Sequence, residues 1–183
     1  MTDRGTLDPS DWSWLEGTWW CVPPESLPAL QLDTDDNTLA WTVDQTVWQI
    51  TGYRAGYFWG VCSTLTRKAG EETAERGPRS RPVGFAMLGS ITPEGRVHLT
   101  FLPYRDPASP TIGLGRAVPH RDGWSLEMQM STGSSTRMAH WAYMVPVTPE
   151  DPAWSSLPGF EVSVPEMLDG FEPPKPPAID DDD

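Results

Sequence analysis

The chain has 183 residues, 26 of them Asp or Glu against 13 Lys or Arg, for a formal net charge of −13 at pH 7. This length fits one domain that can bury a sizeable core, and the acidic balance argues against nucleic acid and anionic membranes as partners, since both require clustered positive charge. The 20 Pro and 16 Gly indicate many turns and argue against long helices.

Segment composition and cysteine usage predict a cytoplasmic protein without a bound metal. The first residues carry no apolar signal core, and no apolar run approaches about 18 residues. Cys21 and Cys62 lie among apolar strand residues, and no Cys/His spacing suits zinc. We therefore expect a cytoplasmic protein with two buried thiols, no metal and no cofactor.

A tryptophan-rich stretch follows a polar N-terminal arm at residues 1–11. Four of the nine residues in 12–20 are Trp. The run Pro9-Ser10-Asp11 favours one capped helical turn, and an extended strand is expected to continue through Val22. Because each buried Trp removes roughly 150–250 Å² from water, this stretch is predicted to form the floor of the fold.

Residues 46–66 predict the first hairpin. Its loop, Arg54-Ala55-Gly56, ends in a glycine that suits the left-handed conformation of a three-residue turn. Setting Tyr53 opposite Tyr57 divides the side chains between two faces, and Trp59 falls on the wetter one. The drier face carries Trp48, Ile50, Gly52, Phe58, Gly60 and Cys62.

A second hairpin is predicted over residues 83–104, after a polar loop at 67–82. Its turn, Pro93-Glu94-Gly95, has the proline and glycine positions that such a turn requires. The resulting alternation is that of a half-buried ribbon. The side chains expected to face inward are Phe85, Met87, Gly89, Ile91, Val97, Leu99 and Phe101.

Two further turns complete an antiparallel up-and-down meander. Arg121-Asp122-Gly123 predicts a turn of the same type as the first two, and Gly133 marks another before the strand at 136–147. The fold class is therefore all-β, a single antiparallel barrel of about eight or nine strands over residues 12–147. Residues 148–172 are expected to pack on the outside, with one helical turn at 165–168, and residues 173–183 to form a disordered acidic tail.

The opening run Trp14-Leu15-Glu16-Gly17-Thr18-Trp19, followed by a strand meander, resembles the lipocalin and fatty-acid-binding (calycin) barrels. Those families begin with a Gly-x-Trp at the end of a short helix, and the Trp plugs the barrel floor. The resemblance implies that Gly17 and Trp19 are the matching residues and that Trp19 is the plug. It implies an architecture, and architecture does not fix function.

Glu127 and His140 form the candidate catalytic pair. An even number of residues in the loop near Gly133 places them on one strand face together with Gln129, Met138 and Met144. If that face points inward, burial tunes the pair toward proton transfer near neutral pH. The alternative is that the pair faces water and that the opposite face is the core. That opposite face carries Leu126, Met128, Met130, Ala139, Trp141 and Tyr143.

Large aromatic rings beside glycine gaps favour a pocket for an apolar ligand, with ordinary core packing as the alternative. The candidate ligand-binding residues are Trp48, Phe58, Trp59, Met87, Phe101, Trp124, Gln129, Met138, Trp141 and Tyr143.

The predicted function is binding of a hydrophobic small molecule inside the barrel. A cofactor-free cyclase or isomerase that shapes an apolar biosynthetic intermediate fits the same container, because such catalysis needs a dry cavity and few polar groups. The alternatives are a non-catalytic intracellular carrier and a Trp-rich protein-interaction module. A homodimer is left open.

Overall fold

The computed structural model describes residues 11–70, 81–105, 110–121, 123–132 and 136–176. Within these ranges the chain forms nine strands, two 3₁₀ turns (Ser13–Leu15 and Pro24–Ser26) and two short helices. The strands are β1 (Trp19–Cys21), β2 (Pro28–Asp33), β3 (Thr38–Arg54), β4 (Tyr57–Lys68), β5 (Val83–Ile91), β6 (Arg96–Pro103), β7 (Thr111–His120), β8 (Gly123–Thr132) and β9 (Thr136–Val147). The helices are α1 (Pro152–Ser155) and α2 (Val164–Leu168).

The strands close into an antiparallel barrel. From β3 to β9 each strand pairs with the next along the chain, and β2 closes the circle by pairing with both β3 and β9. The extra strand β1 lies end to end with β2, since it also pairs with β3 and β9 but further along them. The predicted all-β, up-and-down barrel is confirmed, and a closed barrel of eight strand positions is compatible with a calycin-like fold.

The wall is interrupted between the end of β1 and the start of β2. The β2 ladder on β3 ends at Val43 and the β1 ladder resumes at Val47, so three residues of β3 have no strand neighbour on that side. Side chains close the gap: the Gln45 amide bonds the backbone N–H and C=O of Val22 at 3.0 and 3.1 Å. The Ser26 hydroxyl accepts the Tyr143 N–H at 3.3 Å. The gap is therefore sealed by polar contacts rather than by a continuous ladder.

The β3–β4 hairpin differs from the prediction at its turn and agrees with it in its body. Arg54 pairs with Tyr57, so the loop has two residues, Ala55 (φ +50°) and Gly56 (φ +87°), instead of three. A bulge between Ile50 and Gly52 shifts the register back by one residue. Beyond the bulge the two offsets cancel, so Trp48, Ile50, Gly60 and Cys62 lie on the predicted face, as Phe58 does. Between the bulge and the turn the prediction is wrong for Gly52, which pairs with the outward-facing Trp59, and Tyr53 packs on the core instead.

The next two hairpins differ in how well they were predicted. β5 and β6 have the predicted register, with Met87 opposite Phe101 and Ile91 opposite Val97. β7 and β8 are joined after His120, which pairs with Gly123, so the predicted three-residue turn is wrong. The left-handed residue there is Arg121 (φ +48°). Several predicted segments lie outside the described residues: 1–10 of the arm, 71–80 of the polar loop, 133–135 of the last turn and 177–183 of the tail.

Tryptophans close one end of the barrel, but Trp19 is not among them. Trp20 is fully buried in the lumen, and Trp12 packs edge to face on Trp124 with ring centroids 5.3 Å apart. Trp19 points outward and packs on Trp154 at 5.5 Å. Neighbouring residues of a strand face opposite sides, so placing Trp20 inside excludes Trp19 from the plug.

The C-terminal segment covers the outer face of β1, β3 and β4. Leu157, Val164 and Met167 pack there against a second apolar cluster that includes Val47 and Leu65. The predicted helical turn at 165–168 is confirmed as α2, whose N-cap Ser163 forms a capping box with Glu166. None of the helices in the described ranges is long and apolar enough to cross a membrane.

Candidate functional site

His140 lies in the interrupted part of the wall and points inward from β9. Its Nδ1 is 2.8 Å from Asp44 Oδ2 and its Nε2 is 2.6 Å from the Ser26 carbonyl oxygen. Both partners accept hydrogen bonds, so the geometry satisfies both ring nitrogens only when each carries a proton. With Asp44 ionised, this arrangement therefore favours the imidazolium form of His140.

The pKa of His140 is raised above its ordinary value of 6.5. Burial acts to lower this pKa, because it disfavours the charged form, but three interactions outweigh it. They are the hydrogen bond to Asp44, the negative charge of Asp44 and the hydrogen bond to the Ser26 carbonyl. The side chains of His140 and Asp44 are 1% and 3% exposed, so the ion pair is screened little by solvent.

Asp44 has one carboxylate oxygen committed and one free. Oδ2 accepts the hydrogen bond from His140 and a long one, 3.5 Å, from the Thr46 hydroxyl. Oδ1 is buried and has no hydrogen-bond partner among the described residues. A buried acceptor left unsatisfied costs about 1–3 kcal/mol, and more when it is charged. Asp44 Oδ1 is therefore a ready acceptor for a donor that enters from the cavity.

A cavity of about 50 Å³ adjoins this carboxylate at the end of the barrel opposite the tryptophans. Its polar lining consists of Asp44, Thr46, Cys62, Thr64, Thr111, Thr132 and His140, and its apolar lining of Phe85, Phe101, Met130 and Met138. The remainder of the lumen is filled by buried side chains such as Trp48, Phe58, Met128 and Met144. The space available to a ligand therefore lies at the open end, beside Asp44.

The thiol of Cys62 is held in its protonated form. Burial raises its pKa well above the ordinary value of 9.0, the charge of Asp44 raises it further, and the Trp48 side chain acts in the opposite direction. A thiol is a weak nucleophile until it loses its proton. Cys62 therefore contributes shape and a weak hydrogen-bond donor to the cavity, not a reactive sulfur.

A larger groove of about 520 Å³ lies on the outer surface of the same wall. His140 and Met130 contribute to both linings, so they form the partition between cavity and groove. Trp41 of β3 pairs with Leu30 of β2, which in turn pairs with Ala139 of β9. These outward-facing residues line the groove together with Trp141.

The predicted partnership of Glu127 with His140 is wrong. β8 and β9 pair Met130 with His140 and Glu127 with Tyr143, so Glu127 and His140 face opposite sides of the sheet. Glu127 points outward and forms an ion pair with Arg116, Nε to Oε2 2.8 Å. A register different by one residue moves every side chain of a strand to the other face, which is why the pair separates.

The predicted ligand-binding residues divide between the two sides of the wall. Trp48, Phe58, Met87, Phe101 and Met138 face the interior, and Trp124 packs against the floor. The side chains of Trp59, Gln129, Trp141 and Tyr143 lie outside, where Gln129 and Trp141 line the groove.

The glycine gaps do not enlarge the cavity. An added Cβ at Gly52 would meet the Trp59 ring at 2.3 Å, and one at Gly89 would meet Leu99 and Phe58 at 2.5 and 2.6 Å. At Gly60 the space is occupied by the backbone of Gln49. These glycines permit close packing instead of leaving room for a ligand.

Sequence reasoning missed Asp44, Ser26 and Trp41. Asp44 had a usable signal: two steps of strand alternation back from Trp48, on the face predicted to be dry, lead through Thr46 to a carboxylate. A charge on the buried face of a strand requires a partner. Ser26 had no such signal, because it meets His140 only through the turn between β1 and β2.

Within the described residues, no group of three or more His, Cys, Asp or Glu side chains is arranged to hold a metal ion. Comparison of the chain with protein-family models, with curated proteins and with solved structures finds no match. The chemistry of the site therefore rests on its own residues.

Proposed function

We propose that this barrel binds a small, largely apolar molecule at its open end, and that the molecule donates a hydrogen bond to Asp44. The observation that carries the proposal is the buried, unpartnered Oδ1 of Asp44 beside a cavity with an otherwise mostly apolar or hydroxyl lining. Small-molecule sites commonly combine apolar walls with a few polar groups that fix orientation.

The size of the cavity limits what enters it. Each water-sized group needs about 10–15 Å³ of such space, so 50 Å³ accommodates roughly three to five of them. Ligand pockets usually span about 300–1,000 Å³. The bound molecule would therefore insert one end beside Asp44 and leave the rest at the rim of the barrel.

A calycin-like assignment belongs to the same proposal. It is supported by the closed antiparallel barrel, by the 3₁₀ turn that carries indoles to the floor, and by the cavity at the opposite end. In this assignment the floor residue is Trp20, one position beyond the Gly-x-Trp match.

A cofactor-free isomerase or cyclase is the second candidate, and the same oxygen favours it. A carboxylate in a mostly apolar surround can accept a proton from a bound molecule as a general base. Both ring nitrogens of His140 are committed, so His140 would hold the carboxylate in place while Asp44 accepts the proton. The proton acceptor in this candidate is Asp44, in place of Glu127.

Binding can be tested with two probes of equal size, phenol and toluene, of which only phenol donates a hydrogen bond. The readout is the NMR methyl signals of Met130 and Met138, which line the cavity. We expect phenol to shift both signals and to bind more tightly than toluene. Asp44→Asn should reduce that preference, whereas Asp33→Asn, at an exposed acid, should not.

A cavity-filling variant provides a second check on the site. Met138→Trp should abolish the phenol-induced shift at Met130, and the remaining NMR signals should stay those of the folded protein. Equal binding of phenol and toluene, or shifts that survive Met138→Trp, would contradict the proposal. Proton transfer is tested separately: solvent deuterium should appear at an acidic C–H of a bound carbonyl compound with the wild type and not with Asp44→Asn.

A further inference from the structure

The two exposed tryptophans of the protein face the same groove. All ten Trp lie in the described ranges, and of these Trp41 and Trp141 are exposed, at 62% and 55%, while the others are buried or partly buried. Both line the outer groove of about 520 Å³. Indoles are large apolar surfaces that proteins usually bury or use for contact.

The two indoles flank a floor of smaller residues. Leu30 lies between Trp41 and Ala139, because β2 separates β3 from β9 and pairs with both. Two strand spacings place the backbones of Trp41 and Ala139 roughly 10 Å apart. Trp141 is the next outward residue on β9 and rests edge to face on Tyr143, ring centroids 5.6 Å apart at 60°. The rings thus border a recess wide enough for a compact group.

The charge of the groove favours a cation. Glu25, an exposed carboxylate, lines it, and the described lining contains no Lys or Arg. The imidazolium of His140 in the partition is neutralised by Asp44. The whole chain carries −13, which raises the local concentration of cations near its surface.

We propose that this groove binds an alkylated ammonium group, held between Trp41 and Trp141 and paired with Glu25. The faces of indole rings attract cations through their quadrupole, and quaternary ammonium groups are bound by such aromatic walls. The groove is a second site on the outside of the wall, and the proposal does not depend on a ligand in the inner cavity.

Choline and its neutral isostere 3,3-dimethylbutan-1-ol separate cation binding from apolar contact. The readout is the indole N–H signals of the ¹⁵N-labelled protein, with the two groove signals assigned through Trp41→Phe and Trp141→Phe. We expect choline to shift both groove signals saturably and to bind about two- to fivefold more tightly than the isostere, the size of one exposed cation–π contact.

Matched variants locate the site. Trp41→Ala and Trp141→Ala should each weaken choline binding about fivefold, and Glu25→Gln should weaken it and reduce its dependence on salt. Tyr57→Ala, at an exposed aromatic on the β3–β4 hairpin, should have no effect. Because these side chains are exposed or lie at the surface, the variants are expected to fold, as their unperturbed indole signals would verify.

Three results would overturn the proposal. The isostere could bind as tightly as choline, which would make the groove an apolar contact surface without preference for a cation. Choline could leave the Trp41 and Trp141 signals unmoved. Choline binding could also persist at full strength in both alanine variants. These outcomes concern the groove alone, since the Asp44 cavity proposal uses different probes and the methyl signal of Met138, which lines the cavity and not the groove.

Discussion

The imidazolium of His140 and the carboxylate of Asp44 meet at 2.8 Å inside the barrel wall, where neither side chain is more than 3% exposed. The two residues are 96 positions apart in sequence and belong to strands that do not pair with each other at this point. The ion pair therefore joins β3 to β9 across the gap between β1 and β2. The ion pair holds the two strands together and fixes the orientation of the Asp44 carboxylate, whose Oδ1 has no hydrogen-bond partner among the described residues.

Stability should fall as pH rises through the folded-state pKa of His140. That pKa is raised above its ordinary value of 6.5, so the folded protein holds the proton more tightly than the unfolded chain. The contribution is full below about pH 6.5 and is lost as pH rises past the raised pKa. Urea unfolding between pH 5.5 and 9 would measure it, at about 1.4 kcal/mol per pKa unit.

His140→Gln is the control for this pH dependence. It should be less stable than the wild type at pH 6, and its free energy of unfolding should lack the decline that the wild type shows at higher pH. A wild-type stability that rises over the same window, or an equal decline in both proteins, would contradict the assignment of the proton to His140.

Removing one member of the pair should cost more than replacing both. Asp44→Ala leaves an uncompensated buried cation, for which a loss of about 3–5 kcal/mol is expected. The double replacement Asp44→Leu with His140→Met substitutes apolar groups of similar volume and should lie within about 1 kcal/mol of the wild type or above it. Chemical unfolding of the wild type, Asp44→Leu, His140→Met and the double variant gives the coupling energy, and simple additivity of the two single losses would show that the pair does not act as a unit.

The sequence predicted the fold. It predicted most of the inner face of β3–β4 only because the Ile50 bulge offsets a turn one residue shorter than expected, whereas β5–β6 has the predicted register because its turn contains the required proline and glycine. The turn between β8 and β9 offered no such sequence signal. Their loop near Gly133 allowed either an odd or an even register, and hydrophobic count favoured the face of Leu126 and Met128. In the structure that face of β8 is the core, yet on β9 the inward residues are His140, Ala142 and Met144. The register with an odd number of loop residues points His140 into the interior. The Ser26 carbonyl, which accepts a hydrogen bond from His140, lies on a turn 114 residues away in the sequence.

Glu127 should be dispensable for ligand binding and nearly so for stability. Its ion pair with Arg116 lies on the outer surface, with Arg116 67% exposed, and such pairs contribute about 0–1 kcal/mol. Glu127→Gln should therefore change the free energy of unfolding by less than about 1 kcal/mol and leave phenol-induced shifts at Met130 unchanged. Loss of phenol binding in this variant would restore Glu127 to the site and remove Asp44 from its proposed role.

The two adjacent indoles of β1 should differ in their contribution to stability. Trp20 is fully buried among floor residues and its Nε1–H donates to the Thr18 hydroxyl at 2.8 Å, so Trp20→Ala should cost about 3–5 kcal/mol. Trp19 is half-buried, and Trp19→Ala removes mainly the contact with Trp154, so this variant should lose about 1–2 kcal/mol of unfolding free energy. Comparable losses in the two variants, measured by urea unfolding, would mean that Trp19 shares the plug.

Gly60 should tolerate no side chain. A Cβ there would lie 1.9 Å from the Gln49 carbonyl oxygen and 3.0 Å from the Ile50 Cα, both backbone atoms of the paired strand β3. Those atoms can move only if the β3–β4 ladder separates beside the Ile50 bulge, so Gly60→Ala should cost about 3 kcal/mol or more. Gly123→Ala is the matched control, since nothing lies within 4 Å of its added Cβ, and it should change stability by less than about 0.5 kcal/mol. If unfolding in urea finds the two variants alike, the close approach of β3 to β4 at this bulge does not set the register of the hairpin.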